Sequence, residues 1–194
     1  IGTGTSLERF DGVHLKRYPV SGNNEKLKRV NAIAETEGNQ MWMGNGMGLW
    51  RVNHEKRELD AIAAETIKCG VRSLLADGKG GLYIGSEALF IYRQGRLEHI
   101  LIDPNVLSAA NIINGLSFGE NGILWMATSS GLYSLELENR KIVPYYFIVE
   151  DKHICSYTNI VRIGPVIYLG TMGQGIACFD TRTHKFDSYL DVGC

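Results

Sequence analysis

MWMGNGMGLW, residues 41–50, sets three glycines, Gly44, Gly46 and Gly48, between Trp42 and Trp50. Taken alone it has two meanings, a phosphate-cradling loop or a reversal between two strands. A phosphate loop needs a helix N-terminus directly after it, where backbone amides converge on the anion. Four look-alikes elsewhere in the chain decide between them: IGTGTSLERFD (1–11), LYIGSEALFIY (82–92), LWMATSSGLYSLE (124–136) and IYLGTMGQGIACFD (167–180). With Gly44 as anchor, the counterparts fall at Gly2, Gly85, Ala127 and Gly170, at spacings of 42, 41, 42 and 43 residues. The number and identity of the glycines vary among these copies while the apolar stretches on either side persist, so the loop is a turn and no helix follows it.

The agreement extends along the whole repeat. Two residues before the anchor stands an aromatic, Trp42, Tyr83, Trp125 or Tyr168, and one before it Met43, Ile84, Met126 or Leu169. After it comes Leu7, Leu49, Leu89, Leu132 or Ile176, then a polar turn such as NHEKRE, RQGR, ENRK or TRTHK. Upstream lies another apolar stretch with its own turn, VNAIAETEGNQ, VRSLLADGKGG, IINGLSFGENG and the shorter IVRIGP. Each unit therefore reads as four short strands, and four strands of five or six residues with their connections fill about 40 residues. Alternation of period two occurs in places, as in Trp50 and Val52, and no segment sustains a helical stripe.

A period in this range belongs to solenoids or propellers. Helical repeats are not written here, so the expectation is an all-β fold, a β-propeller of four-stranded blades with about four and two-thirds blades present. The expected units are 1–20 (partial), 28–63, 70–103, 111–149 and 157–191, all within one propeller domain over 1–194. The first unit lacks its innermost strand, and the four residues after Leu190 are too few to supply it. The expectation is an arc of a larger propeller, whose terminal blades expose apolar faces and pair with other arcs.

The segments LLADGKGGLYIGS (74–86), LSFGENGILWMATSSGLYSL (116–135) and IYLGTMGQGIACFD (167–180) resemble the two-component regulator propeller repeat. The resemblance covers almost the whole chain. It departs where Ala127 replaces the anchor glycine, where Met43 and Met126 replace the usual Ile, and in the short Gly164-Pro165 hairpin. It implies the periplasmic sensor region of a hybrid two-component histidine kinase, anchored in the inner membrane through parts absent from these residues. Its implied stimulus is a glycan-derived oligosaccharide, and its implied partners are that ligand or an adjacent receptor module.

Composition narrows the other classes. Twenty basic residues against twenty-one acidic ones give a net charge of −1 without a basic stripe, so nucleic acid is not an expected partner. The longest apolar run, Tyr145–Val149, is far short of the roughly 20 residues that cross a bilayer. Cys69, Cys155, Cys178 and Cys194 show no metal-ligand spacing and are expected as free thiols. No metal or other cofactor is expected.

Catalysis also lacks support. His14, His54, His99 and His184 fall in or near the turn between third and fourth strands, where successive blades point them apart. Glu35, Asp77 and Glu120 sit in or beside first hairpins, where carboxylates bond to local backbone. Paired acids for glycoside cleavage, by contrast, must flank one bond. Trp42, Tyr83, Trp125 and Tyr168 recur at one offset and are expected between blades, whereas the place of Trp50 holds Glu8, Tyr133 or Ala177 in other repeats, and Trp50 is expected to be more exposed. Propeller ligands gather on the face that carries the entry to each inner strand and the turn between second and third strands. The candidate binding residues there are Arg29, Asn31, Asn45, Arg72, Glu87, Asn114 and Gln174, with Met47, Asn111, Ser129 and Asn159 nearby. The expected function is a non-catalytic sensor; the alternatives are a propeller lyase or glycosidase and an interaction scaffold.

Overall fold

In a computed structural model, residues 1–20, 29–63, 66–67, 70–105, 107–149, 152–154 and 156–190 are described. The chain divides into two compact units, Ile1–His99 and Ile100–Cys194.

The first unit holds a partial blade and two complete ones. In the partial blade, β1 (Leu7–Phe10) pairs antiparallel with β2 (Leu15–Tyr18), and Gly2 bridges to Leu7. The second blade is β3 (Val30–Thr36), β4 (Gln40–Asn45), β5 (Gly48–Asn53) and β6 (Glu58–Ile62) in sheet order. The third is β7 (Ser73–Ala76), β8 (Leu82–Gly85), β9 (Leu89–Arg93) and β10 (Arg96–Ile100).

The second unit holds the fourth blade, β11 (Ile113–Phe118), β12 (Ile123–Thr128), β13 (Leu132–Glu136) and β14 (Ile142–Tyr145). A separate hairpin, β15 (Phe147–Val149) with β16 (Lys152–Ile154), comes next. The fifth blade is β17 (Tyr157–Ile163), β18 (Val166–Thr171), β19 (Ile176–Asp180) and β20 (Lys185–Leu190). Every blade is an antiparallel meander in chain order, which is the architecture of a propeller blade. The apolar run 145–149 is divided by this arrangement. Tyr145 closes the outer strand of the fourth blade against Leu132, while Phe147 pairs with Ile154 in the extra hairpin.

The repeated residues are the contacts between blades. Met43, Ile84, Met126 and Leu169 are fully buried, and so, nearly, are Trp42, Tyr83 and Trp125 on the other face of the same strands. Both faces of these three second strands are covered, whereas Tyr168 in the fifth blade is half-buried. Trp42 meets Tyr92 of the next blade edge-on at 5.1 Å, and Trp125 meets Phe179 at 5.4 Å in the same way. Edge-to-face geometry suits the ring quadrupoles.

The anchor glycine has a steric reason. A methyl group on Gly2 would stand 2.6 Å from Val30 Cγ1, and one on Gly44 would fall onto Val71 Cγ1. Val30 opens the inner strand of the second blade and Val71 stands two residues before that of the third, and their amides donate to Thr3 O (3.0 Å) and Asn45 O (2.8 Å). Gly44 thus lies inside β4 and serves the neighbouring blade, while the reversal itself rests on Gly48 at φ 132°.

Trp50 corrects one expectation. It is 7% exposed, pairs across the strands with Met43, and packs with Leu7, Val52 and Leu59 between the first two blades. Its indole N–H donates to Asn45 Oδ1 at 3.1 Å, so the ring is held in the core at both ends. A repeat with a different residue at this offset reflects a different neighbour and not exposure. Cys178 is buried with a free thiol; Cys69, Cys155 and Cys194 lie outside the described residues.

Candidate functional site

The inner strands of the second, fourth and fifth blades each carry a bulge near their start. The register shifts between Val30 and Ala32, between Ile113 and Gly115, and between Tyr157 and Asn159. Asn31, Asn114 and Thr158 are the extra residues, and a bulge re-aims its side chain. Asn31 Nδ2 donates to Val71 O at 2.9 Å, and Asn114 Nδ2 donates to Tyr157 O at 2.7 Å and to Ser129 Oγ at 3.1 Å. Two of the candidate binding residues therefore tie one blade to the next.

Residue one past the anchor closes the turn between second and third strands. Asn45 is fully buried, its Oδ1 accepting from the Met47 amide at 2.8 Å as well as from Trp50. Thr128 Oγ1 donates to Gly131 O (2.8 Å) and Thr171 Oγ1 to Gly175 O (2.9 Å), and Ser86 Oγ reaches Gly70 O at 3.0 Å. The local bonds of Asn45, Thr128 and Thr171 mimic a backbone turn, whereas that of Ser86 ties the turn to the entry of its inner strand.

Arg29, Arg72, Glu87 and Gln174 present exposed side chains. In the first unit three of them follow one edge. Arg29 precedes Val30, Asn31 holds the carbonyl of Val71 beside Arg72, and the Arg72 amide donates to Gly85 O two residues before Glu87 (2.8 Å). Gln174 and Asn114 belong to the second unit, Gln174 in a turn whose amide bonds to Thr171 Oγ1 at 3.0 Å.

At the opposite end of its strands the second unit carries a cleft of about 460 Å³ between the fourth and fifth blades. Trp125 and Pro165 contribute apolar wall, and Glu120, Arg162, Arg182 and His184 contribute charge or a titratable ring. Arg162 is 19% exposed and Glu120 77% exposed; Arg162 Nη2 donates to Glu120 Oε1 at 2.6 Å. Arg162 Nε is buried without a partner, an arrangement that costs about 1–3 kcal/mol while it persists.

Asp180, behind Arg182, accepts from the Arg182 guanidinium at 2.7 Å and from the amides of Arg182 (2.7 Å) and Thr183 (3.2 Å). The guanidinium first, then the amides, hold its carboxyl far below the usual carboxylate range. It stays ionised and has no proton to give as an acid. Asp77 is tied into its own turn, its Oδ1 accepting from the amides of Lys79 and Gly81, each at 2.8 Å, and its Oδ2 paired with Arg93. Glu35 is exposed on β3.

The histidines are dispersed. His14 is exposed, His54 Nε2 lies 3.2 Å from Asn39 O, His99 stacks on Phe90 at 5.1 Å, and His184 tilts over Tyr145 at 5.6 Å. Among the described residues no group of three or more His, Cys, Asp or Glu is placed to hold a metal ion, and no helix is long and apolar enough to cross a membrane.

The cleft has no local sequence motif, because Glu120 and Arg162 stand 42 residues apart and meet only when adjacent blades pack. The repeat period was the available signal, since it places these two residues on neighbouring blades.

No protein-family model matches the chain, and no curated protein matches it. Solved structures do. The chain is similar to the extracellular domain of the hybrid two-component system BT3049 from B. thetaiotaomicron, with a TM-score of 0.76 and 18% identity over 96% of this chain and 28% of that one. It is similar to PorZ, a bacterial surface component of the type-IX secretion system of Porphyromonas gingivalis (TM-score 0.70, 16% identity, 97% of this chain and 32% of that one). It is also similar to the extracellular domain of the hybrid two-component system BT4673 from B. thetaiotaomicron (TM-score 0.67, 17% identity, 88% and 22%). The chain spans between about a fifth and a third of the length of these proteins. At these identities the likeness is one of fold: four-stranded blades, repeated, as in the propeller regions to which the sequence repeats point.

Proposed function

We propose that this chain is a non-catalytic sensor module of a hybrid two-component histidine kinase, lying in the periplasm with its parent anchored in the inner membrane. Its stimulus is an oligosaccharide released from a complex glycan. The observation that carries this reading is the edge of the first unit, where Arg29, Asn31, Arg72 and Glu87 stay exposed while Asn45 is consumed by the fold. Guanidinium and carboxylate side chains held on a rigid sheet end suit the hydroxyls of a sugar. The fold shared with two sensor ectodomains supports the assignment to that class.

Binding would act by population. A ligand that fits one arrangement of the receptor better than another shifts the balance between them, by no more than its difference in affinity. The adjacent receptor module, or a second copy, would cover apolar side chains such as Val161 (52% exposed) and Ile163 (64%) on β17.

Titration calorimetry of the chain against a panel of glycan fragments tests this. Saturable binding is expected, weakened about tenfold by Arg72→Ala, equivalent to about 1.4 kcal/mol, with melting unchanged and no fragment cleaved. Cleavage of a fragment, or binding indifferent to Arg72→Ala and Glu87→Ala, would overturn the reading.

A further inference from the structure

We propose that the cleft between the fourth and fifth blades binds a small organic anion through Arg162, and that Glu120 occupies the ligand's place until it arrives. The candidate ligand carries a carboxylate or a sulfate and is of the size of one sugar ring, which a cleft of about 460 Å³ admits.

The ion pair in the cleft is incomplete on the arginine side. A guanidinium presents a fork of donors that a carboxylate satisfies best when it takes two of them together. Glu120 takes Nη2 alone, and Nε is left enclosed with nothing to donate to. Glu120 reaches in from the hairpin of the other blade with most of its side chain in solvent, while its backbone carbonyl accepts from the Ile123 amide at 3.1 Å and keeps the hairpin closed. The carboxylate can therefore swing out without undoing its turn. An incoming anion then takes Nε and Nη2 side by side. Arg182 is engaged with Asp180, which leaves Arg162 as the cation that the ligand addresses, with His184 at the rim and Trp125 and Pro165 as apolar wall. This inference stands apart from the sensor reading, because the cleft lies at the other end of the strands from Gln174 and Asn114.

The test is the ¹⁵N–¹H spectrum of the arginine Nε–H groups of the full 194-residue chain, titrated separately with sodium glucuronate, sodium sulfate and glucose. One resonance, absent in Arg162→Gln, is expected to shift saturably with glucuronate, with sulfate or with both, and not with glucose. A response to glucuronate alone assigns the site to carboxylates, and a response to sulfate alone to sulfates. Glu120→Ala is expected to tighten binding about tenfold, since it removes the internal competitor for a charge-assisted bond. Should Arg162→Gln fail to fold, Arg162→Lys keeps the charge, loses the side-on pair and is expected to bind less tightly. No shift with either anion, an equal shift with glucose, or weaker binding in Glu120→Ala would overturn the proposal.

Discussion

Val71 rests directly on Gly44: there is no room for a methyl group between them, and the Val71 amide donates to the carbonyl of Asn45 at 2.8 Å. Val30 stands in the same relation to Gly2, one repeat earlier. In the first unit the 42 residues from Gly2 to Gly44 are therefore the distance along the chain between successive docking points of one blade on the next.

The asparagines of the inner-strand bulges should matter for stability. Asn31→Ala and Asn114→Ala each remove a donor from the carbonyl of a neighbouring blade, and each should cost about 1 kcal/mol, with Asn114 the more costly because it also holds Ser129. Urea denaturation followed by far-ultraviolet circular dichroism reads this directly. Equal stability of Asn114→Ala and the parent chain would show that the clamp is energetically idle.

Tryptophan emission should report a dry environment. All three tryptophans, Trp42, Trp50 and Trp125, are at most 7% exposed. The folded chain should emit at short wavelength with little quenching by acrylamide, and both properties should be lost on unfolding. Trp50→Phe should lower stability by about 1 kcal/mol, since Asn45 loses a bonded partner in the core. An accessible tryptophan fraction in the folded state would contradict the burial of Trp50.

Acid should weaken the second unit through Asp180. Its folded carboxyl titrates below the ordinary value of 3.8, because the Arg182 side chain and the amides of Arg182 and Thr183 favour the ionised form. A lowered folded value means that the unfolded chain binds the proton first as pH falls. The stabilisation is fully present above the ordinary carboxylate range and is lost as pH drops through the folded value. Melting measured at pH 7 and pH 3 should show a larger acid loss for the parent chain than for Asp180→Asn. An equal loss in both would assign the acid sensitivity to other carboxylates.

The strands were legible because their determinants are local and repeated. An aromatic two residues before each anchor, an aliphatic one before it and a polar turn after it mark the strands of Met43, Ile84, Met126 and Leu169 without knowledge of any neighbour. What was not legible depends on contacts across blades. The place of Trp50 varies among the repeats, with Glu8, Tyr133 or Ala177 at it elsewhere, yet Trp50 is buried, because Leu7 and Leu59 close over it. Asn31 and Asn45 both read as polar loop residues; a bulge aims Asn31 at the Val71 carbonyl while leaving it exposed, and a turn encloses Asn45. The hairpin Phe147–Ile154 interrupts the repeat, and period alone could not separate it from the outer strand that ends at Tyr145. Glu120 reads in sequence as a hairpin acid bonded to local backbone, and its pairing with Arg162 arises only when the fifth blade meets the fourth.

The most direct test of the blade-docking account is a double-mutant cycle at Gly44 and Val71. Gly44→Ala alone should destabilise the chain by about 1–3 kcal/mol, the cost of overpacking a close contact. In the background of Val71→Ala, which clears the space, the same change should cost at least about 1 kcal/mol less, measured by urea denaturation at equal slope. Costs that add to within about 0.5 kcal/mol would mean that the two residues do not share the contact, and that the repeat period has another origin.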